Sequence, residues 1–234
     1  MKIEIWSDIV CPFCYIGKRK LEKALAKFPN KEAIEIEWKS FQLNPEEKTN
    51  PNISTLENLA NNKGWSMDQA REATKYVTEA AANEGLTFDF DKAVVANTLN
   101  GHRLIHFAQS VGKGSAMKER LLKAYFTDGL NVDDPHTLLK LAEEIGLDAE
   151  KTQEVLNSEQ YLEEVNQDIY ESRLVGVRGV PFFVLDRKYG ISGAQPDEVF
   201  DETISKAWAE FTSKDSGLIV KGNEGDSCDI DGNC

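Results

Sequence analysis

Cysteine is scarce in this chain, four in 234 residues, and that count excludes a small scaffold held together by disulfides. Basic residues are outnumbered: 27 Lys and Arg stand against 40 Asp and Glu, a net charge of −13. A nucleic-acid backbone is therefore not an expected partner, because neutralising phosphates takes basic patches. No apolar run approaches the roughly 18 residues that a membrane span needs, so no membrane partner is expected either. Met1 leads straight into Lys2-Ile3-Glu4-Ile5-Trp6, which alternates and has no apolar leader core. The expectation is a cytoplasmic protein, and in a reducing compartment paired cysteines are more often catalytic or metal-binding than structural. Solenoid repeats are also lacking.

What is present begins with the placement of those cysteines. Cys11 and Cys14 bracket Pro12-Phe13, and Cys228 and Cys234 form a second pair at the other end. Residues 3–7 read as a short strand with Ile3, Ile5 and Ser7 on one face. Pro12 suits the first turn of a helix, and Leu21, Ala24, Leu25 and Phe28 continue it to Pro29. Ile34, Ile36 and Trp38 alternate with charged residues as a half-buried strand, and 44–51 reads as loop. From about 54 to 175 the pattern is almost wholly helical, including Ser66 and Gln69 at capping-box spacing and a helix that Asn97 caps. Strand character returns at Phe182–Leu185 and Tyr189–Ser192, and a last helix runs from 197 to about 211. Residues 213–234 are rich in Gly, Ser and Asp and read as a flexible acidic tail. The expected division is 1–53 and 176–212 as two parts of one α/β unit, 54–175 as a helical insert, and the tail.

Four-residue spacing lets two thiols meet across the first helical turn. A thiolate at Cys11 would face unpaired backbone N–H groups and the positive end of the helix dipole, which lower its pKa and make it a nucleophile. Cys14, one turn deeper, would resolve the resulting mixed disulfide. The alternative is a structural zinc half-site completed by Cys228 and Cys234, the clip of an interaction domain. The tail pair is open to three readings: a shuttle to Cys11, a local disulfide, or idle thiols. The chain between Phe211 and Cys228 can extend about 55 Å, enough to reach the active turn. Asp229, Asp231 and Asn233 alternate like part of a calcium loop but lack its closing acid, and read as solvated tail. His102 and His106 share a helical face with no third ligand evident, so a structural role is expected. Trp6 is expected in the sheet core, and Asp8 is a candidate for tuning a thiol pKa.

Ser7-Asp8-Ile9-Val10-Cys11-Pro12-Phe13-Cys14-Tyr15-Ile16-Gly17 resembles the start of DsbA-family thiol–disulfide oxidoreductases, in particular the FrnE-like branch. Phe41-Gln42-Leu43-Asn44-Pro45, Asn97-Thr98 with His102-Arg103-Leu104, and Gly176 to Phe183 resemble further motifs of that branch. The resemblance spans about 1–212 and implies a thioredoxin fold interrupted by a helical domain. It assigns the nucleophile to Cys11, the resolving thiol to Cys14 and a cis-proline to Pro181. Pro12, Phe13, Val180 and Pro181 are then the substrate-binding edge. No bound cofactor is implied, with glutathione as a conceivable redox partner, and the partners are substrate proteins or small thiols. Periplasmic members carry His where this chain has Phe13, so a higher Cys11 pKa and a less oxidising couple are expected. The kappa-class glutathione transferases and 2-hydroxychromene-2-carboxylate isomerases are similar in architecture but generally keep a serine at the active turn.

Overall fold

The computed structural model describes residues 1–214, so Cys228, Cys234 and most of the expected tail lie outside the described residues. Strand β1 (Lys2–Ser7) is flanked by β2 (Glu35–Ser40) in parallel and by β5 (Phe182–Leu185) antiparallel, with β6 (Tyr189–Ser192) at the edge. The order β2-β1-β5-β6 assembles one sheet from both ends of the chain, as the pattern of strands predicts. As a central strand, β1 is buried on both faces: Ile3 and Ile5 on one side, Glu4 and Trp6 on the other.

Between the sheet's halves the chain is mostly helical, and local signals explain where each helix begins and ends. Helix α1 (Pro12–Lys27) has Pro12 at its first position and stops before Pro29. A two-stranded ladder follows, β3 (Asn50–Ser54) with β4 (Val94–Val95). It corrects the loop reading at Asn50 and Pro51, while 44–49 is loop as expected, and it interrupts the stretch 54–175 that was read as almost wholly helical. Its few pairs are irregular, and Asn50-Pro51-Asn52 is averse to strands by composition, so tertiary context rather than propensity makes it. Ser54 Oγ caps α2 (Thr55–Lys63) by accepting from Glu57 N, and Gly64, at φ 66°, closes it. Ser66 and Gln69 form the expected capping box of α3 (Met67–Asn83).

Helix α4 (Leu99–Ser110) starts after Thr98, one residue beyond the expected cap, although Asn97 Oδ1 still accepts from Leu99 N at 2.9 Å. Helix α5 (Gly114–Lys123) gives way to a π turn over Ala124–Asp128, where one regular helix was expected. Asp134 and Asp148 cap α6 (Pro135–Glu144) and α7 (Ala149–Leu156). Helix α8 (Leu162–Val175) ends at Gly176, at φ 83°. Helix α9 (Asp197–Lys214) runs past the expected tail boundary at 213.

The core is continuous. Ile3, Ile5 and Phe183 of the sheet and Phe200 of α9 belong to the same buried cluster as Leu104, Leu121 and Phe126 of the helical stretch. The stretch between the two sheet halves therefore packs as part of the same interior, and α4 and α5 lie against β2.

Candidate active site

The carboxyl end of β1 delivers the chain to α1, and this junction carries the site. Cys11 is the N-cap residue of α1, extended at φ −90° and ψ 111°, and Cys14 N donates to Cys11 O at 3.0 Å. Both thiols are free and buried, 4% and 1% exposed. Cys11 borders a groove of about 630 Å³, whereas Cys14 lies beneath it. Across from them the Val180–Pro181 peptide bond is cis, and Cys11 Sγ donates to Val180 O at 3.4 Å.

The sequence-predicted edge is partly where it was expected. Pro12, Phe13 and Val180 line the groove, with Phe13 38% exposed at its mouth. Pro181 is buried, and its ring packs against α1: a Cβ on Gly17 would come within 3.0 Å of Pro181 Cγ. Gly17 is thus the residue that lets α1 approach the proline. On the opposite wall, Glu47 accepts from Asn44, Asn58 and Asn62, fixing a polar end to a groove otherwise walled by Val10, Leu43, Trp65 and Phe90.

Beneath the sulfurs lies a set of buried polar groups. Asp8 Oδ1 accepts from Ile9 N at 2.7 Å and faces His102 Nε2 at 3.2 Å, and Asp8 Oδ2 accepts from Leu43 N at 2.8 Å. Burial would raise the Asp8 carboxyl, but the hydrogen bonds from His102 and Leu43 N bring it below the ordinary range. Burial lowers His102, so the imidazole is neutral near pH 7. Lys118, on α5, is 1% exposed and donates to Ser7 O at 3.1 Å. Burial pulls its ammonium down to about 8.

The two thiols titrate as a unit. Hydrogen bonding to the Cys14 sulfur, then burial, pushes Cys11 well up. Burial also works against a Cys14 thiolate, but the Cys11 hydrogen bond, the Lys118 charge and Ser7 outweigh it and lower Cys14. Both directions arise from the thiol pair facing each other in a buried setting. The direction for Cys11 is opposite to that of the dipole argument, because the Cys14 hydrogen bond and burial act on its thiol.

His102 and His106 share a helix but not a target. His106 Nε2 lies 3.0 Å from Asp168 Oδ2 and 3.0 Å from Ser40 Oγ, while His102 meets Asp8. Trp6 is fully buried and donates to Asp168 O at 2.9 Å. Lys118 is the residue that sequence reasoning missed. Its signal was present: Leu121 and Leu122, three and four positions on, put it on the apolar face of its helix.

Comparison with known proteins places this geometry. The family of DSBA-like thioredoxin domains matches residues 2–205. A solved structure of a probable DsbA oxidoreductase, SCO1869 from Streptomyces coelicolor, is 38% identical, with a TM-score of 0.84 over 100% of this chain and 98% of that one. The uncharacterised protein YwbO of Bacillus subtilis (strain 168) is 28% identical over 207 residues, 87% of this chain and 95% of its own. The cytosolic disulfide reductase DsbM of Pseudomonas aeruginosa shares the fold, at 15% identity and a TM-score of 0.63 over 93% of this chain and all of that one. With a sheet built from both chain ends, a cysteine pair at the start of α1 and a cis-proline facing it, the chain belongs to the DSBA-like thioredoxin domain family, whose members are disulfide oxidoreductases or isomerases.

Proposed function

We propose that this protein exchanges disulfides with protein or small thiol substrates in the cytoplasm, with Cys11 attacking and Cys14 resolving. The observation that carries the reading is the unequal access of two adjacent free thiols: Cys11 borders the groove and Cys14 lies under it. As a substrate disulfide enters, Cys11 gives its proton to solvent through the groove and its thiolate attacks, expelling one substrate thiolate. Cys14 then loses its proton and attacks Cys11 Sγ, which releases the second substrate thiolate and leaves the Cys11–Cys14 disulfide. The substrate disulfide gains two electrons and the protein dithiol loses them; the reverse sequence oxidises a substrate dithiol.

Phe13 and Val180 form the substrate edge, with Pro12 and Pro181 holding their backbone, and glutathione is a suitable redox partner because the groove is large enough for a tripeptide. No bound cofactor takes part. Cys14→Ser is expected to accumulate a mixed disulfide at Cys11, read by intact mass, and Cys11→Ser to accumulate none. Absence of any trapped species with either protein or glutathione disulfides would refute the reading, and conjugation of glutathione to an electrophile in its place would favour a transferase or isomerase. Cys228 and Cys234 then serve as a second pair that exchanges with Cys11. Cys228→Ser with Cys234→Ser is expected to slow turnover while leaving Cys11 reactivity intact, and unchanged turnover removes that role.

A further inference from the structure

The loop from β2 to β3 carries a carboxylate that the exchange chemistry above does not use. Glu47 is half-buried and lines the groove that Cys11 borders. Its Oε2 accepts from Asn44 Nδ2 at 3.2 Å, and from Asn58 Nδ2 and Asn62 Nδ2 at 3.1 Å each. Three neutral amides thus fix the group in place and bring no formal charge to it. Its Oε1 accepts from none of the described residues, and none of them supplies a cation in ion-pair contact. The backbone beneath is pinned on both sides. Leu43 N donates to Asp8 Oδ2 at 2.8 Å, and Asn97 Nδ2 donates to Pro45 O at 3.1 Å and to Glu47 O at 2.9 Å. Asn97, besides preceding α4, therefore holds the loop that carries the carboxylate. One oxygen of a fixed carboxylate is left without a partner in the active groove, in a chain whose net charge is −13.

We propose that Glu47 is a specificity-determining residue of the groove, and that it takes the ammonium or guanidinium of a lysine or arginine side chain lying close in sequence to the substrate's disulfide cysteine. The inference rests on the exchange reading above and names its substrate class, a basic peptide segment. Cys11 and Glu47 line one groove of about 630 Å³, so one short segment can offer its disulfide to the first and its cation to the second. The same groove is walled by Val10, Leu43 and Phe90, which suit the aliphatic stem of such a side chain. A carboxylate already held by its own amides loses little freedom when the cation binds. The negative charge of the whole chain draws basic partners toward it. Lys63 brings the opposite sign into the groove. It is exposed, and none of the described residues holds its ammonium, so the fixed charge of Glu47 sets the preference. Glu47 takes no part in the sulfur chemistry; its effect is on binding.

The test uses the full chain and three synthetic peptides, each closed by one internal disulfide and differing only at a position beside one cysteine, where they carry Lys, Gln or Glu. Their reduction by excess reduced protein is followed in single turnover at low ionic strength. The Lys peptide is expected to react about fivefold faster than the Gln peptide, the size of one partly exposed ion pair, and the Glu peptide slowest. Salt at roughly 0.5 M should shrink the gap to less than about twofold. Glu47→Gln keeps an oxygen for the three amides and removes only the charge, and it should bring the Lys and Gln peptides to within about 1.5-fold of each other. Equal rates for the three peptides in the native chain, or a Lys preference that survives Glu47→Gln, overturn the proposal. So does a preference for the Glu peptide that Lys63→Met abolishes.

Should Glu47→Gln fail to fold, the peptide order and its salt response in the native chain still decide. Binding is also read without turnover. The same peptides with both cysteines S-methylated cannot exchange, and calorimetry with the native chain is expected to rank their affinities Lys over Gln over Glu. If no peptide is reduced and that ranking holds, the exchange reading fails and the Glu47 role stands. If the peptides are reduced at equal rates and bind equally, the exchange reading stands and the Glu47 role is overturned.

Discussion

Glu119 ties the helix that carries the cysteines to the stretch that packs against it, and its removal should show in the acid limb of stability. Its carboxylate, on α5, accepts from Tyr15 Oη at 2.6 Å, Lys18 Nζ at 2.6 Å and both terminal nitrogens of Arg19, all on α1. Burial works against the charge, but hydrogen bonds from Arg19 and Lys18 prevail and hold the carboxyl at about 2. The drop from the ordinary 4.5 to about 2 sets a ceiling of about 3.4 kcal/mol, at about 1.4 kcal/mol per pH unit. The side chain is 32% exposed, so solvent screening brings the expectation for Glu119→Gln to about 1–2 kcal/mol. The sign follows from linkage: a depressed carboxyl stabilises fully above its unfolded pKa and loses that stability as pH falls toward the folded value. Urea midpoints for native protein and Glu119→Gln should therefore differ by that amount at pH 7 and by less than half of it at pH 3. A gap that is constant across this range would refute the charge argument and leave only a packing effect.

Arg103 is 5% exposed and donates from Nε to Gln160 O at 2.8 Å, from Nη2 to Val155 O and Ser158 O, and from Nη1 to Asn100 Oδ1. A lysine cannot serve that fork, so Arg103→Lys should cost about 2–3 kcal/mol by denaturant unfolding, with thiol reactivity retained. A loss under 0.5 kcal/mol would mean that water replaces the fork. Phe13→His places a donor at the groove mouth beside Cys11, and the couple should become more oxidising by about 30 mV or more against glutathione. A couple that is unchanged or more reducing contradicts the reading of Phe13.

Much of the fold was legible because its signals are local. The alternation in β1, the Pro12 start of α1 and the Ser66–Gln69 capping box each fix an element within a few residues. The β3–β4 ladder was not legible, because Asn50-Pro51-Asn52 carries no strand propensity and is recruited only once Val94 and Val95 lie beside it. The break in α5 was missed for the same reason: Ala124-Tyr125-Phe126 is good helical text, and Gly129, at φ 67°, falls only after the turn has already changed. At the site, the cysteine spacing was readable directly because it is sequence-local, and the cis-proline followed from the resemblance that Gly176 to Phe183 carries. The charge environment was not, since Asp8 and His102 are 94 residues apart, and Ser7 and Lys118 are 111 apart.

That environment explains why the two thiols behave unequally. Near neutral pH the buried set holds Asp8 as carboxylate, His102 as neutral imidazole and Lys118 as the cation. Asp8 and Lys118 cancel, so the disulfide form buries no net charge. One thiolate makes the set singly negative, and the Cys11 hydrogen bond, the Lys118 charge, Ser7 and the Asp8 backbone favour it at Cys14. The hydrogen bond to the Cys14 sulfur and burial push the Cys11 thiol up, and the charge of a thiolate at Cys14 adds to both.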